Sequence, residues 1–238
     1  MPQLYERVIL KISGEAFNRS NPAERYVPED GNYLVSEILS ITSKVQLAIV
    51  VGGGNIVRGS ELITKHKTDA LAADHIGMIG TIGNALYLQD QLEREGQREV
   101  RVMSSLDINQ VAEPYIARRA RNHLKKGIIV ILAAGTGATR VTTDTAAVQK
   151  AAELQADIVL KGTKFALHAQ DPRCNPDSPI IRRISRHEFL TQGFDKIMDR
   201  PAIAQVENTS MPIVIFDLFQ AGNLLGALEG REVGSTIF

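Results

Sequence analysis

Short runs of β-branched and aliphatic residues recur along the chain, each bounded by glycine or polar residues. Nearly continuous apolar runs of roughly four to eight residues are typical of strands that are covered on both faces, as in a parallel sheet. Six strands are predicted on this basis, over residues 7–12 (RVILKI), 46–51 (QLAIVV), 100–103, 128–133 (IIVILA), 157–160 and 212–216 (PIVIF).

Helical periodicity fills the segments between these runs. Residues 74–95 carry Ile79, Ile82 and Leu86 at i, i+3 and i+7, and residues 142–154 carry Ala147, Ala151 and Leu154 at i, i+4 and i+7. A third helix is predicted over residues 111–125, with Lys126-Gly127 as its stop. The alternation of strands and helices predicts an α/β fold, namely a three-layer αβα sandwich around a mainly parallel central sheet.

The chain shows no linker, repeat or low-complexity tract, so residues 1–238 are predicted to form a single domain. Residues 18–30 (NRSNPAERYVPED) are polar and contain proline, which predicts a mobile excursion. Residues 171–179 (DPRCNPDSP) are predicted to form a second loop.

Charge and hydropathy narrow the functional class. Lys plus Arg and Asp plus Glu both number 27, whereas a nucleic-acid or anionic-membrane binder normally has a basic excess. The longest apolar run, residues 128–134, is far shorter than the roughly 20 residues that span a bilayer. The start of the chain has no apolar signal-peptide core, and Cys174 is the single cysteine. We therefore expect a soluble, cytoplasmic protein without nucleic-acid or membrane partners.

The strongest chemical feature is Gly52-Gly53-Gly54-Asn55, directly after the strand LAIVV. Glycines at the end of a strand let backbone N–H groups approach an anion without obstruction by Cβ. A following helix would add a favourable dipole, and Arg58 lies close enough in sequence to reach a phosphate oxygen. The alternative is a tight turn, but the preceding strand and Arg58 favour phosphate binding.

Three further loops follow predicted strands in the same way. They are Lys11-Ile12-Ser13-Gly14, Gly135-Thr136-Gly137 and Lys161-Gly162-Thr163-Lys164. The carboxyl ends of parallel strands meet at one edge of a sheet, where α/β proteins bind ligands. Thr142 or Thr143 is predicted to cap a helix, and Asp144 either serves its first turn or orients a catalytic lysine. Four such loops at one edge predict a phosphotransferase.

Other reaction classes lack their sequence motifs. The chain has no GxxxxGK[ST], no GxGxxG before a helix, no DFG or HRD element and no GxSxG elbow. Its five histidines and Cys174 are scattered without the spacing of metal ligands, so we expect no metal site built by the protein.

Several motifs, in order along almost the whole chain, resemble those of bacterial UMP kinases (uridylate kinases) of the amino-acid kinase superfamily. They are LKISGEA (residues 10–16), VVGGGNIVRG (50–59), ADHIGM (73–78), VAEPYIARRA (111–120), AAGTG (133–137), TTDTAA (142–147), ADIVLKGTK (156–164), KIMD (196–199) and the closing MPIVIF to GSTIF. The resemblance implies transfer of the γ-phosphoryl group of ATP to UMP, giving UDP and ADP, with Mg²⁺ carried by ATP.

The resemblance also implies site residues. Catalytic roles would fall to Lys11, Asp144 and Arg58. ATP would contact Lys11, Ile12, Ser13, Gly14, Gly54, Arg58, Thr163, His168 and Asp171. UMP would contact Gly53, Asp74, Thr136, Gly137, Ala138, Thr139, Arg140, Val141, Thr142 and Thr143. The family further implies a homohexamer built around the helix over residues 74–95. It also implies a possible GTP effector, and Arg101 matches one of the residues expected to contact it.

Two segments depart from the family pattern. GTGATRVTTD (residues 135–144) replaces a sequence close to GTGNPFFTTD, and FALHAQDP (165–172) lacks the usual Asp-Gly and puts His168 where an aromatic residue normally flanks adenine. Gln89 and Glu93 stand where some members have basic residues. Two rival hypotheses remain: a related kinase with a changed acceptor or donor, and a nucleotide-binding homologue with reduced or lost activity.

Overall fold

The computed structural model describes residues 5–96 and 98–238. Met1 to Leu4, which belong to the segment without an apolar signal-peptide core, lie outside the described residues. Within them, nine strands form one sheet in the order β4-β3-β5-β2-β1-β6-β8-β9-β7. The strands are β1 (Arg7–Ile12), β2 (Gln46–Val51), β3 (Val100–Ser104), β4 (Glu113–Pro114), β5 (Ile129–Ala133), β6 (Ile158–Thr163), β7 (Arg183–Ile184), β8 (Ile213–Asp217) and β9 (Gly234–Ile237).

The sheet is parallel except where β9 pairs antiparallel with β8. All six predicted strands are present; β1 and β2 have the predicted bounds, and the ends of the other four differ by up to three residues. The helices are α1 (Pro28–Thr42), α2 (Gly59–His66), α3 (Ala70–Gly96), α4 (Ala117–Lys125), α5 (Thr143–Leu154), α6 (Arg186–Thr191), α7 (Arg200–Ala204) and α8 (Asn223–Leu228), with a 3₁₀ helix at Gly14–Phe17.

Helices cover both faces of the sheet, as the predicted three-layer sandwich requires. Alternate residues of β1 point to opposite faces, so Leu10 packs with α1, α3 and α8 while Ile9 packs with α4, α5 and α7. Both layers consist largely of side chains that are fully buried, and burial of this apolar surface is the main stabilising contribution to the fold.

The predicted helix over residues 111–125 is wrong in its first part. Glu113–Pro114 pair with β3 as a short strand, Ile116 is extended, and α4 begins only at Ala117. Proline lacks a backbone N–H and biases the residue before it toward extended conformations, so the helix cannot run through Pro114. The predicted end is confirmed, because α4 stops at Lys125 and Gly127 has a φ of 76°.

Two other expectations differ from the structure. α3 begins at Ala70 rather than at the predicted Asp74. Just before this start, the Asp69 carboxylate accepts the N–H of Leu71 at 3.0 Å. The loop predicted over residues 18–30 ends earlier than expected, because residues 28–30 already belong to α1. This helix starts at Pro28, and the next two residues are acidic. Within the described residues, no helix is long and apolar enough to cross a membrane.

Candidate functional site

Two lysines lie side by side in the centre of the sheet. Lys11 on β1 is the register partner of Lys161 on β6, so both side chains emerge on the same face, the face covered by α5. Only 8% of Lys11 and 5% of Lys161 is exposed. Buried ammonium groups this close together need a negative partner.

Asp144 supplies that partner from the first turn of α5. Its Oδ1 lies 2.8 Å from Nζ of Lys11, and its Oδ2 accepts a short hydrogen bond from Nζ of Lys161. The carboxylate is positioned by its neighbour Thr142, which caps the helix by accepting the N–H of Asp144 at 3.1 Å. Two predictions for this turn are therefore confirmed: Thr142 caps the helix, and Asp144 lies in its first turn.

Burial and the neighbouring charges shift the pKa values of Asp144 and Lys161. Burial alone would raise the pKa of Asp144, but the charges of Lys11 and Lys161 outweigh it and lower that pKa to about 2. Burial lowers the pKa of Lys161 to about 8; the carboxylate of Asp144 opposes this and the charge of Lys11 adds to it. At neutral pH the cluster therefore holds one carboxylate between two cations.

A segment outside the predicted set completes this cluster. Lys161 also donates to the carbonyl oxygen of Ile197, and Asp199 accepts hydrogen bonds from the hydroxyls of Thr142 and Thr145, the latter at 2.8 Å. Asp199 in turn caps α7 by accepting the N–H of Ala202. Ile197 and Asp199 belong to the KIMD segment (residues 196–199). This segment resembles the family, but the sequence predicted no role for its residues.

The glycine loops approach each other so closely that side chains would not fit. A Cβ on Gly14 would lie 2.6 Å from the backbone nitrogen of Gly54, and one on Gly53 would lie 2.9 Å from the carbonyl oxygen of Gly77 on α3. Among the described residues, no acceptor is found for the N–H groups of Gly53, Gly54 and Asn55. Unpaired N–H groups in a concave turn form an anion-binding nest.

The predicted helix does not follow this nest directly. A turn closed by hydrogen bonds from Ile56 and Val57 to the carbonyl of Gly53 intervenes, and α2 begins at Gly59. The nest therefore relies on its own N–H groups rather than on a helix dipole. Arg58 precedes α2 and forms an ion pair with Glu15 of the 3₁₀ helix.

A cavity of about 660 Å³ opens beside the lysines. The predicted residues that line it are Lys11, Ser13, Arg58, Asp144, Thr163, His168 and Asp171. Phe165 also lines it and meets the His168 ring edge-on, at 6.4 Å between centroids. Its aromatic and cationic groups suit a ligand with a flat ring and phosphates.

Three of the residues predicted to contact ATP, Ile12, Gly14 and Gly54, do not line this cavity. The Ile12 side chain is fully buried in the layer opposite Lys11, and its carbonyl accepts the N–H of Gly52 at 2.9 Å. Ile12 therefore ties two loops together instead of lining the cavity. Gly14 packs against Gly54, and Gly54 lines a neighbouring cavity beyond Arg58.

Asp74 on α3 contacts the loop that holds most of the residues predicted to bind UMP. Oδ2 of Asp74 accepts the N–H of Arg140 at 2.7 Å, and Arg140 has a φ of 61°, in the left-handed region. Thr81 of α3 accepts the N–H of Ala134 at 2.7 Å, which ties the same loop to α3. These contacts join α3 to the loop over residues 134–142, which holds Thr136, Gly137, Ala138, Thr139, Val141 and Thr142; Thr143 follows as the first residue of α5. Gly53 also approaches α3 closely.

Some of the site was missed by sequence reasoning. Lys161 was noted in its loop but was not predicted as a site residue. Like Lys11, it lies near the carboxyl end of a predicted strand, and the two residues are register partners in the sheet. Among the described residues, no group of three or more His, Cys, Asp or Glu side chains is arranged to hold a metal ion.

Comparisons with known proteins cover almost the whole chain. The model of the amino acid kinase family matches residues 6–217. A uridylate kinase of Leifsonia xyli subsp. xyli is 44% identical over 97% of this chain and 96% of its own, and one of Deinococcus radiodurans is 40% identical over 99% and 96%. The crystal structure of a UMP kinase from Bacillus anthracis superposes with a TM-score of 0.93, at 34% identity, over 98% of this chain and 96% of its own.

Proposed function

This chain belongs to the amino acid kinase family, and we propose that it is a UMP kinase that transfers the γ-phosphoryl group of ATP to UMP, giving UDP and ADP. The observation that carries the proposal is the pair of lysines, Lys11 and Lys161, which are register partners and both contact Asp144. They lie beside a cavity whose lining includes His168 and Phe165.

In the proposed reaction, a phosphate oxygen of UMP forms a bond to the γ-phosphorus of ATP. The bond from that phosphorus to the bridging oxygen breaks, and its electron pair leaves with ADP. The transferring group carries negative charge throughout, so its stabilisation needs cations and N–H donors rather than a strong base.

The roles of this chain follow from where charge develops. Lys11 and Lys161 would neutralise the transferring group, and Asp144 would hold the two ammonium groups in place. Arg58 would leave Glu15 to bind phosphate, and the unpaired N–H groups at Gly53 and Gly54 would orient the phosphates of the two substrates.

Mg²⁺ would enter with ATP. The two carboxylates that line the cavity with the lysines already have cationic partners: Asp144 pairs with Lys11 and Lys161, and Asp171 pairs with Arg173 at 2.6 Å. The ion would supply charge neutralisation on the triphosphate, while the chain orients the nucleotide.

The acceptor follows from Asp74. A carboxylate at this place on α3 is suited to accept hydrogen bonds from the two hydroxyls of a ribose, and the resemblance assigns it that role. Its present partner is a backbone N–H, that of Arg140, which ligand hydroxyls would replace. The loop lacks the aromatic residues of the family pattern, so a changed acceptor is the second candidate.

An ADP-release assay with UMP, and with CMP as control acceptor, tests the proposal. We expect turnover with UMP at least about tenfold faster than with CMP. A preference for CMP, dUMP or a small acid would support the changed-acceptor candidate. Tight nucleotide binding without product for any pair of substrates would support a non-catalytic role.

The proposal extends to assembly and location. A homohexamer is supported by the exposed apolar residues Leu71, Ile76 and Ile79 along α3, and light scattering would test it. Both substrates are water-soluble nucleotides, so the proposal includes a cytoplasmic location. Regulation by GTP would require Arg101 to leave its ion pairs with Glu99 and Glu113, and a GTP titration of activity would test it.

A further inference from the structure

Two buried asparagines join α3 to the glycine loop, residues 52–55, that follows β2. Asn84 of α3 is fully buried, and Asn55 at the end of the loop is buried as well. The Asn84 amide donates to the carbonyl oxygen of Gly52 and to Oδ1 of Asn55, both at 2.6 Å. The Asn55 amide donates to the carbonyl oxygen of Arg25 at 2.7 Å and to Oδ1 of Asn84 at 3.2 Å. The two side chains therefore form one closed hydrogen-bonded unit.

The donors of both amides are used within the protein. A side-chain amide has two N–H donors, and each of the four donors of Asn84 and Asn55 has an acceptor. The carbonyl groups of Gly52 and Arg25 can only accept, so they fix the orientation of each amide. A ligand beside the loop therefore has no free N–H on the Asn55 side chain to bind, and the two asparagines position the chain instead.

Asn84 sets the direction of a backbone donor in the glycine loop. The peptide unit that joins Gly52 to Gly53 is trans and planar, so its carbonyl and its N–H point in opposite directions. Because the Gly52 carbonyl is bonded to Asn84, the N–H of Gly53 is turned away from that hydrogen bond. Among the residues that the structure describes, this N–H has no acceptor, and the proposed function assigns it to phosphate.

The direction of this N–H depends on the donor that Asn84 supplies. Gly52 is buried, and a buried carbonyl that loses its hydrogen bond costs about 1–3 kcal/mol. Without the Asn84 donor, the loop would lower this cost by turning the peptide unit toward another donor. The same rotation would carry the N–H of Gly53 out of its present direction.

We propose that Asn84 is a positioning residue for phosphate binding, which fixes through the Gly52 carbonyl and Asn55 the orientation in which the glycine loop presents its N–H groups. The inference rests on the proposed function, from which it takes the role of the loop in binding phosphate. It adds a residue of α3 that lies outside the motifs resembling the family and that touches no substrate in the proposed mechanism.

Asn84→Asp tests the donor with almost no change in shape, because it keeps the oxygen that accepts from Asn55 and replaces the N–H donors with an acceptor. Calorimetric titration at pH 8 with a non-hydrolysable ATP analogue and Mg²⁺ should show binding at least about 10-fold weaker than in the parent chain. Leu92→Ala, at a fully buried position further along α3, is the control for a weakened helix. It should lower the melting temperature and leave the affinity unchanged.

Asn84→Ala separates the hydrogen bonds from packing. Alanine leaves a cavity but places no acceptor beside the Gly52 carbonyl and Oδ1 of Asn55. Asn84→Asp should therefore bind the analogue no more tightly than Asn84→Ala. If Asn84 only fills space, the matched shape of the aspartate should instead give the tighter binding, and that result would overturn the inference.

Hydrogen exchange followed by mass spectrometry gives a readout without any ligand. The N–H groups of Ile56 and Val57, both bonded to the Gly53 carbonyl, should exchange faster in Asn84→Asp than in Leu92→Ala. Unchanged exchange or unchanged affinity in Asn84→Asp would overturn the inference.

Two results with the parent chain separate this inference from the proposed function. A parent chain that binds the analogue but forms no UDP would refute the proposed reaction and leave the role of Asn84 standing. A parent chain that does not bind the analogue would remove the phosphate role of the loop, and with it this inference.

Discussion

The ammonium group of Lys11 lies 2.8 Å from Oδ1 of Asp144, and both side chains are nearly buried. Within residues 5–96 and 98–238, Oδ1 accepts no well-aligned hydrogen bond, so its contact with Lys11 is an ion pair. Lys161 completes the arrangement on Oδ2. Removing the carboxylate would leave two cations facing each other in a low-dielectric environment, where an uncompensated charge is costly.

Asp144→Asn should therefore lower the free energy of unfolding by about 3–5 kcal/mol, the usual cost of breaking a buried ion pair. Urea denaturation at pH 7 measures this loss. The double variant Asp144→Asn with Lys161→Met removes the repulsion as well and should recover part of it. A double variant that is less stable than the single one would contradict this account.

The sign of the acid dependence follows from the pKa of Asp144, which is about 2 in the folded chain against 3.8 as the ordinary value. Its stabilising contribution is present above pH 3.8 and is lost as pH falls toward 2. The Asn variant should lack this part of the acid dependence.

Lys11→Met should lower kcat at least about 100-fold, because it removes a cation from the place where the transferring phosphoryl group gains charge. Initial rates of ADP release at saturating ATP and UMP measure the change. Lys126→Met, at an exposed position after α4, is the control and should keep the parent rate. A Lys11→Met enzyme with a near-normal rate would remove Lys11 from the mechanism.

Activity should fall above about pH 8, where Lys161 loses its proton. Arginine stays charged at that pH, so Lys161→Arg should abolish the alkaline decline even if its overall rate is lower. Profiles of kcat/KM from pH 6 to 10 would show both effects, and an alkaline decline that persists in Lys161→Arg would assign it to another group.

Stability responds to Lys161 in the opposite sense. Between pH of about 8 and 10.5 the unfolded chain binds a proton on Lys161 that the folded chain lacks, so this group's contribution to stability rises with pH. If activity falls between about pH 8 and 10.5 while the free energy of unfolding does not, the decline reflects the lost charge of Lys161 rather than unfolding.

The central sheet and the phosphate loops were predictable because they depend on local patterns. Fully buried parallel strands produce continuous apolar runs, and the loops that follow them carry their glycines and lysines visibly. α1 was missed even though Pro28-Glu29-Asp30 is a typical helix start, because polar residues precede it and Gly31 follows.

Other features depend on tertiary contacts that no local pattern specifies. β9 is only four residues long, begins with Gly-Ser-Thr, and is a strand because β8 pairs with it. Ile79 fits the apolar periodicity of α3 yet is 62% exposed. The hydrogen bonds of Lys161 with Ile197 and of Thr142 with Asp199 join segments more than 30 residues apart.

Gly14→Ala should destabilise the chain by about 1–3 kcal/mol and sharply reduce activity, because the added Cβ would lie 2.4 Å from Oδ1 of Asn55 and 2.6 Å from the backbone nitrogen of Gly54. The two loops would have to separate. Gly77→Ala is the matched control for stability: nothing lies within 4 Å of its Cβ, and alanine in a helix should stabilise by about 0.5–1 kcal/mol. Thermal denaturation of the pair would test the close approach, and equal shifts would contradict it.

Asp74→Ala should raise the KM for UMP by at least about tenfold while changing the KM for ATP much less, because Asp74 lies with the acceptor loop and does not line the cavity beside the lysines. The same substitution frees the N–H of Arg140, whose φ of 61° is unfavourable for a residue with a side chain. Equal increases in both KM values would assign Asp74 to another role.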